Sequence, residues 1–181
     1  MSWVPGRVLL ADEGTVEAIA CAIDPRFRAL VLLLRYTALR WNEAAALRRR
    51  RCYVAEGSIE VVEQVVETRS GPRFRSLARD CGWVSVRDGV KEALAEHLAR
   101  YVAERPNAVV FTDSLGGPLV RRSFEEAEWF PALRALGLPS EADDMGVDTL
   151  GTARLWLDIK QAGALRAHYS SGWRRGGGIG A

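Results

Sequence analysis

The sequence predicts an α+β fold, mainly helical, with a small three-stranded antiparallel sheet. Three observations predict it. A nearly continuous apolar run at residues 30–34 follows the helix-opening pair Asp24-Pro25, which marks a central buried helix. Val61, Val62, Val65 and Val66 crowd into one short stretch, and β-branched residues fit a sheet. Val90, Leu94, Leu98 and Tyr101 recur at helical spacing and make one apolar face.

The elements follow in order. Residues 10–23 read as a helix with Asp12 and Glu13 in its first turn, where acidic groups suit the helix dipole. Asp24 caps the next helix and Pro25 takes its first position. Asn42 is placed to cap a short third helix that runs to the Arg48-Arg49-Arg50-Arg51 cluster. Residues 52–55 and 58–66 read as strands joined by the turn Glu56-Gly57. Residues 83–86 make a third strand, and the stretch from 67 to 82 fits neither helix nor strand. Asp88 is placed to cap the helix of Val90 to Tyr101, and Val109-Val110-Phe111 is a short buried segment. Gly116-Gly117-Pro118 is a turn, and Ser123 opens a helix that Gly137 stops. Residues 153–159 look helical, and the glycine-rich end at 173–181 is expected to be disordered. No internal repeat is present, so residues 1–172 are read as a single domain, clear to about residue 140 and degenerate after it.

Composition narrows the function classes. With 181 residues, the chain can bury a real core, and 48% hydrophobic with 27% charged residues is the globular range. No run of about eighteen apolar residues occurs, and the N-terminus carries no charged segment leading into an apolar one, so neither a membrane span nor a secretory signal is expected. Cys21, Cys52 and Cys81 are odd in number and widely spaced, which fits reduced thiols in a cytoplasmic protein better than a disulfide framework or a zinc site. Net charge is only +2, yet Lys91 and Lys160 are the only lysines among 25 basic residues. Arginine suits phosphate because its planar fork donates bidentate hydrogen bonds and stays charged. A GC-rich genome produces the same bias, so composition alone does not identify the partner.

Two segments carry a family resemblance. One is the box Leu34-Arg35-Tyr36-Thr37-Ala38-Leu39-Arg40-Trp41-Asn42-Glu43, an apolar helix running into a turn with a single arginine at the stop. The other is Val109-Val110-Phe111 with Gly116-Gly117-Pro118-Leu119, followed by Phe124, Trp129 and Ala132-Leu133-Arg134. Together, in this order, they resemble the catalytic domain of the tyrosine recombinases, the phage-integrase family, over residues 5 to 140. The resemblance implies a tyrosine that attacks a DNA phosphate and forms a 3′-phosphotyrosyl link, two arginines that neutralise phosphoryl charge, a hairpin lysine as general acid, and two histidine-type positions. It implies no metal and no cofactor.

The resemblance makes Arg40 the first phosphate clamp and gives Glu43 an orienting role. On spacing alone, Arg40 is a helix-end arginine paired with Glu43 at i,i+3. The hairpin lysine is missing; Arg69, Arg73, Arg75 and Arg79 occupy its stretch. Arginine is a poor general acid because its pKa stays above about 12, but these four can contact DNA phosphates as plain cations, or simply sit in a solvated loop. The positions matching the His-x-x-Arg-His box are Val147, Leu150 and Gly151, and Arg154 lies one turn away. Ala167-His168-Tyr169-Ser170-Ser171 stands where the next box belongs, with Tyr169 or His168 in the histidine place, and no tyrosine lies beyond Tyr169. Tyr36, Tyr53 and Tyr101 read as packing residues with tethered hydroxyls.

Three functions remain open. The first is an integrase-like fragment of DNA integration and recombination that has lost strand cleavage, the product of a decaying, frame-shifted prophage gene. The second is an active recombinase using Tyr169 as nucleophile and Arg154 as second arginine. The third is a non-catalytic DNA-binding module whose basic face combines the hairpin arginines with Arg48 to Arg51. In the first and third, double-stranded DNA is the partner, bound weakly and with salt dependence, and any oligomer forms on DNA.

Overall fold

The computed structural model describes residues 13–37, 39–77 and 82–138. Helix α1 spans Glu13–Ala22 and α2 spans Pro25–Tyr36. Asp24 caps α2 as its residue type dictates: its Oδ1 accepts the Arg26 N–H at 2.8 Å, and Pro25 opens the helix. Ala29 to Leu34 are all buried, so α2 is the central helix, packed by α1 on one side and by α4 (Asp88–Tyr101) on another. At its C-terminal end Thr37 returns its N–H to the Leu33 carbonyl at 3.0 Å, and its buried hydroxyl accepts the Leu39 N–H at 3.3 Å.

The third helix, α3, is a single turn at Trp41–Ala44 with Arg40, not Asn42, at its N-cap. It does not continue to the arginine cluster. The backbone of residues 47–50 is instead paired with a distant segment. Val110 N–H donates to the Leu47 carbonyl at 2.8 Å, Arg49 N–H to Ala108 at 2.9 Å, and Arg50 N–H to Pro106 at 2.9 Å. Arg48 faces Val109 as an antiparallel bridge, and Arg49–Arg51 closes as a short 3₁₀ turn. Tertiary pairing has overridden local helix preference.

The three-stranded antiparallel sheet is present in the order β1-β2-β5, from Cys52–Tyr53, Ser58–Val61 and Gly82–Ser85. Ile59 lies opposite Val84, and both point into the core. The turn at Glu56-Gly57 is confirmed, with Gly57 at a φ of 62°. The strand expected to run on to residue 66 breaks at Val62. A separate hairpin follows: β3 (Glu63–Thr68), which takes up the rest of that expected strand, and β4 (Gly71–Ser76), in the stretch that fitted neither helix nor strand. It was hidden because only Val65 on either strand is fully buried and its turn, Arg69-Ser70, lacks the usual Asn-Gly signal.

In α4 the helix starts at Asp88 itself, with Arg87 in the cap position, and Asp88 pairs with Lys91 at 3.3 Å. Val90, Leu94 and Leu98 are buried as expected; Tyr101 is 41% exposed, and His97 takes the remaining buried place. The last helical stretch begins at Arg121 rather than Ser123. It comprises α5 (Arg121–Phe124), a wide π turn (Glu125–Trp129) and α6 (Phe130–Ala135). Gly137 ends it at a φ of 64°, with Leu138 N–H bonded to Leu133 and Gly137 N–H to Arg134, a Schellman closure. Phe124 packs edge-on against Phe27 at 5.1 Å and against Trp41 at 5.1 Å, so the two segments that carried the resemblance meet in one core. The Gly116-Gly117-Pro118 turn is held to the start of α2, where Arg26 donates to the carbonyls of Thr112 and Asp113 at 3.3 and 3.2 Å.

His97 joins α4 to the Val110 segment. Its Nε2–H donates to the Val110 carbonyl at 2.8 Å, while Nδ1 is buried without a partner among the described residues. Burial, with a smaller push from Arg26, holds its pKa below the usual histidine value, and the Val110 bond opposes that shift. The folded group therefore resists a proton that the unfolded chain accepts below about pH 6.5. Stability is full above that value and is lost as pH falls towards the folded pKa. Between about pH 7 and pH 5 the melting temperature is expected to drop, and His97→Gln, which keeps a donor but does not titrate, should flatten part of that slope in thermal melts.

Candidate nucleic-acid interface

The ends of two helices place Arg40. Leu39 and Trp41 on either side of it are buried at 4% and 7% exposure, so the chain is pinned before and after the residue. The Arg40 carbonyl accepts the N–H groups of Glu43 at 3.0 Å and Ala44 at 2.9 Å. Its own N–H donates to Glu43 Oε2 at 2.9 Å. Glu43 is 3% exposed, and its carboxylate thus satisfies backbone at the start of α3, the reciprocal half of a capping box. The pairing of side chains expected from the i,i+3 spacing does not form. Arg40 is exposed, and its guanidinium makes no ion pair among the described residues. A rigid backbone therefore carries an unneutralised fork.

The β3–β4 hairpin carries the next group. Directly opposed residues share a face, so Val65 and Phe74 lie on one side, and the pairs Val66–Arg73 and Gln64–Arg75 lie on the other. Val65 packs on Ala45 and Ala46, just after α3, so the face it shares with Phe74 is the one set against the protein, although Phe74 itself stays 37% exposed. Arg73 and Arg75 are left exposed on the outer side, and Arg69 is exposed at the turn. None of the three forms an ion pair among the described residues. Helix α3 packs against β3, so the element that Arg40 caps and the hairpin that carries these arginines are neighbours. Arg79 lies outside the described residues, as do Arg154, His168, Tyr169 and the positions Val147, Leu150 and Gly151.

The Arg48 to Arg51 cluster does not join this face. Arg48 binds Glu63 through Nε at 3.1 Å and Nη2 at 3.2 Å. Arg49 Nη1 donates to the Leu98 and Val102 carbonyls at 2.7 and 3.2 Å and so satisfies the end of α4. Arg51 pairs with Glu60. Only Arg50 turns its side chain outward. Three of the four are internal fasteners because each meets an acid or an orphan carbonyl across the 47–50 crossing.

The other candidate chemistry does not assemble. Tyr36 lies under the Arg87 guanidinium at 3.4 Å, and burial raises its pKa despite that cation. Its hydroxyl is buried with no hydrogen-bond partner among the described residues, so within them it is a packing ring without the expected tether. The Tyr53 ring stacks on Trp83 at 5.1 Å and that of Tyr101 on His97 at 5.4 Å. Burial pushes the Cys52 thiol up to about 12, so it is no thiolate ligand. Among the described residues no cluster of His, Cys, Asp and Glu is arranged to hold a metal ion, and no helix is long and apolar enough to cross a membrane. Only the resemblance pointed to this hairpin; residue by residue, its second strand was missed. Its signal was Thr68-Arg69-Ser70-Gly71, where the Thr68 hydroxyl bonds the Gly71 carbonyl at 2.7 Å across a two-residue turn and Gly71 takes a φ of 101°.

Replacing the buried Glu43 with alanine strands the Arg40 N–H. Glu43→Ala is expected to cost about 1–3 kcal/mol of stability, measured by urea unfolding, and Glu43→Gln, which keeps an acceptor, less.

No protein-family model and no curated protein matches the chain in sequence. Solved structures do match in shape. The Tn1549 transposon integrase in complex with transposon right end DNA superposes with a TM-score of 0.64 at 14% identity, over 96% of this chain and 57% of that one. The same integrase in complex with a circular intermediate DNA gives a TM-score of 0.62 at 12% identity, over 94% and 55%. The crystal structure of XerA recombinase gives 0.57 at 17% identity, over 95% and 53%. The chain thus spans about half the length of these structures and has the fold seen in integrase and recombinase proteins.

Proposed function

We propose that this chain is a recombinase-like DNA-binding domain that grips double-stranded DNA by its phosphates, in the cytoplasm, and has lost strand cleavage. The observation that carries the reading is a set of exposed guanidinium groups with no ion-pair partner among the described residues, carried on neighbouring elements: Arg40 on its pinned turn, and Arg69, Arg73 and Arg75 on the adjacent hairpin. Exposed arginines without acidic partners are what a phosphate backbone requires, and their forks bind phosphate oxygens in pairs. The fold supports the same reading, since one structure of this shape is an integrase in complex with transposon DNA.

The loss of cleavage follows from residue chemistry. No lysine stands in the hairpin stretch where the resemblance requires one, only Arg69, Arg73, Arg75 and Arg79, and a guanidinium is a poor proton donor to a leaving oxygen. Val147, Leu150 and Gly151 offer no group that could hold a phosphate or move a proton. Catalysis by preorganised charge does not survive that loss. Binding does, because phosphate neutralisation needs only fixed cations. On this reading the gene is a decayed, frame-shifted prophage remnant, and any assembly of copies forms on DNA. Reading the nucleotide sequence in all frames tests the decay: His-x-x-Arg-His in a neighbouring frame supports it.

Fluorescence anisotropy with a labelled duplex tests binding. Affinity is expected to fall steeply with salt, with a log–log slope near −0.9 per phosphate contact. The double change Arg73→Ala with Arg75→Ala should flatten that slope by about two contacts, and Arg40→Ala by about one. No binding at low salt would remove the reading. A nicked suicide duplex should yield no covalent adduct; an adduct that disappears in Tyr169→Phe would overturn the loss of cleavage.

A further inference from the structure

Arg48 touches both strands of the hairpin and the core beside it. Its backbone is fixed by the bridge to Val109. Its side chain is 19% exposed and meets Glu63 of β3 in a two-pronged contact, Nε to Oε1 at 3.1 Å and Nη2 to Oε2 at 3.2 Å. Nη1 donates to the Asn107 carbonyl at 3.2 Å. The guanidinium carbon lies 4.1 Å from the centre of the Phe74 ring on β4. One planar group thus ties β3, β4 and the segment leading to Val109 together.

At its base the hairpin is closed by Leu77 N–H on the Val62 carbonyl at 2.8 Å, but little of its length is buried. Its fully buried apolar anchor is Val65, set on the small side chains of Ala45 and Ala46. β4 is exposed from Arg73 to Ser76. A two-stranded hairpin is marginal in water by itself, so its orientation depends on docking. Only a guanidinium can fork onto a carboxylate and lie flat on a ring at once; an ammonium is a point charge without a face.

We propose that Arg48 is a positioning residue that holds the β3–β4 hairpin at the angle presenting Arg69, Arg73 and Arg75 to DNA. The proposal rests on the DNA-binding reading above for its partner, but its structural half stands separately. Arg48 acts through the hairpin and itself touches no phosphate.

Two measurements on the full chain test it: amide hydrogen exchange, and the salt dependence of duplex binding. In Arg48→Met the hairpin amides should exchange about tenfold faster or more, while α2 keeps its protection. The log–log salt slope should flatten by about two contacts, as in the double hairpin change. A general loss of stability lowers the active fraction but leaves that slope alone, so the slope separates positioning from mere folding. Arg48→Lys should fall between wild type and Arg48→Met in both readouts. Arg122→Met, which removes an exposed arginine paired with Glu126 on another helix, should change neither. Should Arg48→Met also open α2, Glu63→Gln takes its place with the same expectations. Unchanged hairpin protection, or a loosened hairpin with an unchanged salt slope, overturns the proposal. If the wild-type chain shows no salt-dependent binding, the DNA reading fails instead, and hairpin protection alone decides whether Arg48 orders the hairpin.

Discussion

The backbone pairing of residues 47–50 with residues 106–110 is the constraint on which the rest depends. Three hydrogen bonds, from Val110, Arg49 and Arg50, stop the chain from continuing α3 as a helix. The strand direction that results carries the chain out to the sheet and then to the β3–β4 hairpin. It also brings the end of α4 within reach of Arg49 and sets Arg48 beneath the hairpin. Backbone groups left unpaired in such a crossing would be costly, and the register here satisfies them in sequence. His97, bonded to the Val110 carbonyl from the opposite side, closes the same joint against α4.

That crossing sorts the arginines into two populations. Those near it, the outward Arg50 apart, meet acids or carbonyls: Arg48 with Glu63, Arg49 with Leu98 and Val102, Arg51 with Glu60. Those beyond it, at 69, 73 and 75, meet none among the described residues. A pair such as Arg48–Glu63, about one fifth exposed on each side, has shed part of its solvation. Removing one partner from such a contact costs more than breaking a surface pair. A small net charge of +2 is therefore compatible with a local basic face, because the nearby acids Glu60 and Glu63 pair with inner arginines.

Much of the helical frame was legible in the sequence because its signals are local. Asp24-Pro25 specifies a cap within two residues, and Gly137 specifies a stop by its left-handed backbone. Val90, Leu94 and Leu98 report one helix face by spacing alone. The docking of the hairpin, which only the resemblance suggested, and the fate of the arginine cluster were not legible, because both depend on contacts distant in the chain. Val65 is buried by Ala45 and Ala46, and Arg48 is neutralised by Glu63 across a fold that no local pattern records. A run of four arginines reads as a solvated or ligand-binding face until its partners are known. The Arg40 box shows the intermediate case. Its place at a helix stop was readable, whereas the choice of Glu43 to bond the Arg40 backbone rather than its guanidinium depends on burial of the carboxylate.

That choice bears on the proposed DNA grip. An ion pair between Glu43 and the Arg40 guanidinium would compete with a phosphate for the same donors. By taking the backbone N–H, Glu43 stiffens the turn and leaves the fork available. The hairpin follows the same logic at a larger scale: Arg48 and Glu63 neutralise one another on the inner side, and Arg73 and Arg75 face outward without acids. Proton transfer needs a titrating group placed within hydrogen-bond reach of a reacting oxygen, and arginine cannot supply it. Phosphate binding asks only for fixed positive charge. The two demands fall on different residues, so under the proposed reading the internal acid–arginine fasteners are enough to keep the DNA-facing arginines in place without any group for cleavage.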